Sequence, residues 1–178
     1  MKSRTVAVFT GKDLTIMADE GGSGYWIAKS DRLKSAEYLI AVRNLRETWA
    51  IKDNKHGTAF LIARITGCSK TDRHAGRTVI TFEEYAEICV PDAWKKLTGG
   101  QRYPVAYLDT QTAFEELRIN PEKLEWKKFS ELAPSIAEKT EPQPVVQLSL
   151  SEAVAEAKKF ISGATGISES AIAISISL

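Results

Sequence analysis

One run, residues 58–66, constrains this chain more than any other part of its sequence. The run is rich in β-branched and aromatic residues, contains neither Pro nor Gly, and is bounded by Gly57 and Gly67. Side chains of this kind favour strands, and a continuous apolar run between two glycines is typical of a buried strand. We therefore predict a long buried strand here, with the rest of the fold arranged around it.

Shorter strand candidates lie on both sides of this run. Residues 77–89 can pair with the central strand as a hairpin across the polar loop 69–76. The mixed apolar spacing of residues 82–90 predicts a bent or bulged strand. Pro104 lacks a backbone donor, which places the last strand at a sheet edge. The other predicted strands are 5–9, 24–28, 38–42 and 103–108. Together they predict an α+β fold with a small barrel-like sheet.

Helices are expected around this sheet. Ser30 and Asp31 can cap a short helix through residue 36, and Asp109 or Thr110 can cap a helix that ends at Leu117. The spacing of apolar residues in 12–20 is compatible with one helical turn or two. We expect these peripheral helices to cover the sheet.

Composition changes after residue 133. Residues 1–133 are expected to form the barrel domain, and the Pro- and Glu-rich segment 134–147 is predicted to be a linker. Residues 148–178 predict an amphipathic helix followed by a strand at 172–178, where polarity alternates with period two. A helix–strand unit of this size is too small to fold alone. We therefore expect it to dock or to form a homodimer.

Charge is unevenly distributed, although the net charge is +1. Residues 29–78 hold 11 Lys and Arg against 5 Asp and Glu, a local charge of +6. The remainder holds 13 against 18, a charge of −5. A basic segment that forms one surface attracts anions, and nucleic acid is the commonest large anionic partner. DNA or RNA is therefore the expected partner.

The cellular setting is expected to be the cytoplasm. The N-terminal residues contain at most five consecutive apolar residues, which is too short for the core of an export signal. No stretch approaches the roughly 20 apolar residues of a membrane-spanning helix. Cys68 and Cys89 are accordingly expected to be free thiols.

The sequence offers little that predicts an enzyme. His56 and His74, like Cys68 and Cys89, lack the spacing of metal ligands. The glycines at 21–24 are not followed by the lysine and helix of a phosphate-binding loop. A Cys–His dyad formed in three dimensions is the remaining alternative. We expect a non-catalytic protein with neither metal nor cofactor.

Two segments resemble known families. The stretch Tyr25-Trp-Ile-Ala-Lys-Ser-Asp31 resembles the opening motif of EVE domains, which belong to the PUA-like superfamily. The order of elements over roughly residues 24–130 is similar to that of EVE and ASCH barrels. This chain differs in having Asn54-Lys-His-Gly57 where those domains carry a Lys-Pro-Gly-Asp turn. The segment 150–176 resembles a C-terminal helix–strand module of uncharacterised bacterial and mobile-element proteins.

The PUA-like resemblance implies a pocket for a modified or flipped nucleobase. The matching aromatic positions are Tyr25, Trp26 and Trp49. Arg43 and Asn44, at a strand end, are expected to read a base edge or a phosphate. We expect Trp49 and one of the first two aromatic rings at the mouth of this pocket, with Arg43 and Asn44 on its rim. The residues expected to hold the nucleic-acid backbone are Lys29, Arg32, Lys34, Arg46, Lys70, Arg73 and Arg77.

Simpler roles remain open for the same residues. Tyr25 or Trp26 can serve as core packing, Trp49 as a lid over the barrel end, and Arg43 and Asn44 as caps of a strand. A different function also remains open. The resemblance of the tail implies a prokaryotic or phage setting and no activity of its own. The alternative function is that of a phage or mobile-element protein that uses the barrel as a scaffold to bind and inhibit a host defence protein.

Overall fold

The computed structural model describes residues 4–28, 30–71, 74–132, 150–165 and 167–174. The chain divides into two compact units, Met1–Lys139 and Thr140–Leu178. The predicted linker 134–147 lies outside the described residues, so its boundaries stay a prediction. Among the described residues, no helix combines the length and the apolar character needed to cross a membrane.

The first unit is built on one mixed sheet. Its strand order is β2-β5-β4-β3-β1-β6, and a short seventh strand pairs with β5. Among the described residues, β1 and β3 run parallel and the other pairings are antiparallel. The strands are β1 Arg4–Thr10, β2 Ser23–Trp26, β3 Ala36–Arg43, β4 Ala59–Lys70, β5 Thr78–Val90, β6 Val105–Asp109 and β7 Lys127–Lys128. The predicted hairpin of β4 and β5 and the edge position of β6 are both confirmed.

Strand β4 contains the apolar run that the sequence marks as central, and both of its faces are buried. Leu61 packs in a cluster with Met17, whereas Ile62 packs in a second cluster with Trp94. Leu61 and Ile62 are both without exposed surface. Helices cover the two faces, which explains why the run is continuously apolar instead of alternating.

The sheet is strongly curled. Strands β4 and β5 have 12 and 13 residues, and their pairing shifts register beside Leu61, Ile65 and Gly67. Such irregularities bend a strand and increase its twist. The sheet therefore forms a half-barrel within an α+β fold, and the predicted barrel-like sheet is confirmed at this level.

Within residues 4–132, the main helices of this unit are α1 Leu14–Glu20, α2 Ser30–Lys34, α3 Ala93–Thr98 and α4 Thr110–Leu117. Asp13 caps α1 by accepting from the Ile16 amide at 2.9 Å. Asp109 caps α4 by accepting from the Thr112 amide at 3.1 Å, as the sequence predicts. Short 3-10 turns follow at Pro121–Lys123 and Phe129–Glu131.

Helix α3 is not among the helices that the sequence predicts. Ala93, Trp94 and Leu97 have helical spacing, and all three pack into the cluster that contains Ile62. Gly99 ends the helix in the left-handed conformation. Packing of these apolar side chains stabilises the helix. The turn-forming residues on both sides of it make the helix hard to recognise from the sequence.

The second unit contains a helix that we number α5, Leu150–Thr165, followed by a 3-10 turn at Glu169–Ala171. The amphipathic helix expected in the tail is therefore present. Residues 172–174 are described and are not in a strand. Residues 175–178 lie outside the described residues, and so does most of the strand predicted at 172–178.

Candidate functional site

An open cleft of about 660 Å³ lies in the first unit. Residues after β1, the helix α1, the strand β2, and the loops between β3 and β4 and between β4 and β5 line it. Tyr25 of β2 and Pro104, just before β6, both line this cleft, although β2 and β6 are at opposite ends of the strand order. The curl of the sheet therefore brings distant segments of the chain to one site.

Trp49 is the most exposed large aromatic side chain in the cleft wall, at 56%. Its indole lies against Gly11, where an added Cβ would come within 3.0 Å of ring atom Cζ3. The Ile51 amide donates to the Gly11 carbonyl at 3.0 Å and holds the loop against the end of β1. A glycine at this position is thus what lets the indole approach the backbone closely.

Tyr25 and Trp26 differ in exposure, as alternation along a strand requires. Trp26 is 9% exposed and packs in the core cluster, and its Nε1 donates to Ser23 Oγ at 3.1 Å. Tyr25 is half-buried, and its ring centroid lies 4.4 Å from that of His74. Trp26 therefore combines a packing role with a place in the cleft wall, whereas Tyr25 lies nearer the solvent.

Lys12 and Glu20 form a closely paired ion pair in the same wall. Lys12 Nζ lies 2.5 Å and 2.6 Å from the two carboxylate oxygens of Glu20, and the side chains are only 16% and 10% exposed. Lys12 Nζ also lies 4.4 Å from the centroid of the Tyr25 ring, a cation–π contact. The pair is neutral overall, so it adds polar groups to the wall without adding net charge.

Arg43 and Asn44, both expected on the rim, lie in different environments. Asn44 lines the cleft, and its Oδ1 accepts from the Arg46 amide at 3.0 Å, which leaves the side-chain N–H groups for other partners. Arg43 has no exposed surface and is not on the rim. Its guanidinium lies 4.0 Å from the centroid of the Phe60 ring and bonds to Asp53. Its position at the end of β3 turns the side chain into the core instead of toward solvent.

The basic residues expected to hold a nucleic-acid backbone are not gathered at the cleft. Arg77 lines it and donates to the Tyr25 carbonyl at 3.1 Å. Arg32, Lys34, Arg46 and Lys70 are exposed but do not line the cleft. Lys29 and Arg73 lie outside the described residues. Arg32 contacts the Tyr107 ring at 5.3 Å instead.

Gly11, Lys12, Glu20, Glu47 and His74 also line the cleft, although sequence reasoning did not select them. Lys12 precedes α1 and Glu20 is its last residue. A firm prediction of this helix would have placed the two residues at its two ends. The sequence carried no comparable signal for Gly11 or His74, because their neighbours in the site are far away in the chain.

The groups considered for catalysis make structural contacts. His56 Nδ1 accepts from the Leu45 amide at 3.1 Å, and the His56 ring packs edge-on against Phe9. Cys68 is half-buried against the core and Cys89 is exposed. Across the described residues no hydrogen bond joins a cysteine to a histidine, and no group of three or more His, Cys, Asp or Glu is arranged to hold a metal ion.

No family model matches this chain, and neither the curated proteins nor the solved structures contain a significant match. The functional interpretation therefore depends on the geometry of the cleft.

Proposed function

We propose that this protein binds nucleic acid without catalysis and accepts one unstacked base, in flipped or modified form, in the cleft beside Trp49. The observation that carries the proposal is the meeting of Trp49, Tyr25 and Trp26 in one open cleft. We further propose that the half-barrel is of the PUA-like kind, on the strength of the motif at residues 25–31.

The volume of the cleft and the aromatic rings in its wall support a nucleobase as the ligand. A volume of about 660 Å³ is within the range of small-molecule sites, roughly 300–1,000 Å³. Stacking of a base on an aromatic ring is worth about 1–3 kcal/mol by alanine substitution, which can offset the few kcal/mol needed to unstack it. Trp49 offers the freest ring for such stacking, because Lys12 and His74 already contact Tyr25.

Polar groups in the cleft suit the edge of a base and a phosphate. The side-chain N–H groups of Asn44 can donate to a base acceptor such as adenine N7, while the second lone pair of Oδ1 accepts from the adenine amino group. Arg77 is an exposed cation at the same cleft and can contact one phosphate. The remaining exposed basic residues would then contact the backbone beyond the base.

A titration of Trp49→Ala with single-stranded and duplex oligonucleotides tests this function. We expect wild-type binding at low salt that weakens steeply as salt rises, because phosphate contacts release counterions. Loss of about 1–3 kcal/mol of stacking predicts 5- to 150-fold weaker binding by Trp49→Ala. Trp49→Phe retains a ring and should bind more tightly than Trp49→Ala. Absence of binding to any oligonucleotide at low salt would reject the function.

The alternative of a phage or mobile-element protein that inhibits a host protein has one observation in its favour. Tyr103 and Ile27 are 80% and 78% exposed, and they adjoin Pro104 and Trp26 of the cleft wall. Exposed apolar patches mark sites of protein interaction, and tyrosine is enriched among the residues that dominate binding. Under this alternative Tyr103→Ala should abolish capture of the partner, whereas oligonucleotide binding should be absent from the start.

A further inference from the structure

Arg43 occupies an unusual place for a cation. It has no exposed surface, although its partner Asp53 is 40% exposed. Nη1 donates to the Lys12 carbonyl at 2.7 Å and Nη2 donates to Asp53 Oδ2 at 2.7 Å. Nε is buried and has no hydrogen-bond partner within the described residues. Burial of a cation has a large desolvation free energy, which only well-placed ion pairs and hydrogen bonds offset. The burial therefore indicates a structural role for Arg43.

The two hydrogen bonds of Arg43 reach two segments of the chain that each contribute residues to the cleft. Lys12 follows β1 and carries the cation that lies over Tyr25. Asp53 belongs to the loop 44–57 between β3 and β4, and the same loop places Trp49 in the cleft. Apart from Arg43, the Ile51 amide joins this loop to the Gly11 carbonyl. Arg43 is therefore a short link between the segment of Lys12 and the loop of Trp49.

We propose that Arg43 is a positioning residue that fixes the loop 44–57 relative to the end of β1 and thereby sets the width of the cleft. The Phe60 ring supports the guanidinium plane from within the core, so the link is anchored to β4. Only its effect on ligand affinity rests on the proposed function, because the effect on the loop is a property of the free protein.

Arginine is suited to this role where lysine is not. Its planar group presents N–H donors in a fixed fork, so one side chain can bond to a carbonyl and to a carboxylate at the same time. Lysine presents a single ammonium on a flexible stem and cannot hold both acceptors at the distances and directions seen here. Arg43→Lys should therefore keep the charge and lose the link.

Amide hydrogen exchange followed by NMR tests the link directly. Asp53→Asn removes the charged acceptor from a half-exposed position and should fold normally. We expect exchange at the Ile51 amide to become at least fivefold faster in Asp53→Asn and in Arg43→Lys, with exchange at Ile62 in β4 unchanged. The matched control is Glu84→Gln, which removes the partner of Arg64 in an ion pair away from the cleft. This control should leave Ile51 exchange unchanged.

The outcomes separate the two proposals. Unchanged exchange at Ile51 in Asp53→Asn overturns the positioning role, as does equal acceleration at Ile51 and Ile62, which would mean general destabilisation. If single-stranded oligonucleotide binds the wild type, Asp53→Asn should weaken it severalfold while Glu84→Gln does not. Faster local exchange in a protein that binds no oligonucleotide supports the link and rejects the proposed function alone.

Discussion

Replacement of Gly11 with alanine should displace the Trp49 indole while leaving the sheet intact. An added Cβ would lie 2.9 Å from Ala50 Cβ and 3.0 Å and 3.1 Å from Cζ3 and Cη2 of Trp49. Carbon atoms ordinarily approach to about 3.5–4.0 Å, so these groups must separate by about 0.5–1 Å. The exposed indole can move, whereas Ala50 is buried in the loop.

The size of the effect follows from which group moves. Overpacking in a filled core costs about 1–3 kcal/mol, and the freedom of the exposed ring places Gly11→Ala near 1 kcal/mol of unfolding free energy. Partial loss of stacking at the displaced ring should cost a similar amount in binding. Since 1.4 kcal/mol corresponds to a tenfold change, we expect about five- to tenfold weaker oligonucleotide binding.

Urea unfolding and oligonucleotide titration measure the two quantities separately. The control is Gly67→Ala, because a Cβ there meets only Thr81 Oγ1 at 3.5 Å, an ordinary contact. Gly67→Ala should change oligonucleotide affinity by less than about twofold, because it does not touch the cleft. Wild-type stability and affinity in Gly11→Ala would refute the close packing of Trp49 on Gly11 and its role in binding.

Two further predictions concern other parts of the chain. Burial raises the pKa of Tyr85 above its ordinary value of about 10, opposed by Lys127 and aided by Glu87 and Glu131. Because the folded pKa exceeds the unfolded one, this contribution to stability is complete below pH 10 and is lost as pH rises. Tyr85→Phe should therefore lose less stability above pH 10 in denaturant unfolding, and identical slopes would contradict the assignment. Deletion of residues 148–178 should lower the oligomer mass or the solubility, measured by light scattering, because the amphipathic pattern of α5 predicts an apolar face that a partner covers. Unchanged mass and melting temperature would exclude such a role.

The sequence predicts those elements of the fold that leave a pattern in neighbouring residues. The run in β4 is apolar because both faces are covered, and the cap at Asp109 lies one residue before the helix that it begins. Helix α3 was missed because its apolar stripe spans only five residues between turn-forming neighbours. The helix is stabilised by packing in the cluster that contains Ile62, whose members are far apart in the chain.

The same distinction applies to the residues of the candidate site: some are recognisable from their neighbours in the chain, and others are not. Trp49 stands out in the sequence as an aromatic residue within a polar loop, and Tyr25 and Trp26 as an aromatic pair in a strand. Arg43 shows the limit of this reasoning, because a charged residue at a strand end is usually solvated. Its burial depends on Asp53 and on the Lys12 carbonyl, 10 and 31 positions away in the chain. Contacts over such distances follow from the curl of the sheet.

The position of β1 has a consequence for synthesis of the chain. This first strand lies between β3 and β6, and Thr5 Oγ1 donates to Thr110 Oγ1 across 105 positions, at 3.0 Å. At translation rates of about 5–20 residues per second, β6 is synthesised roughly 5–20 s after β1, with which it pairs. During that interval its unpaired edge can recruit another nascent chain. Pro104 lines the cleft and is synthesised at the end of the same interval, so the wall of the cleft is complete only once the segment leading into β6 has been made.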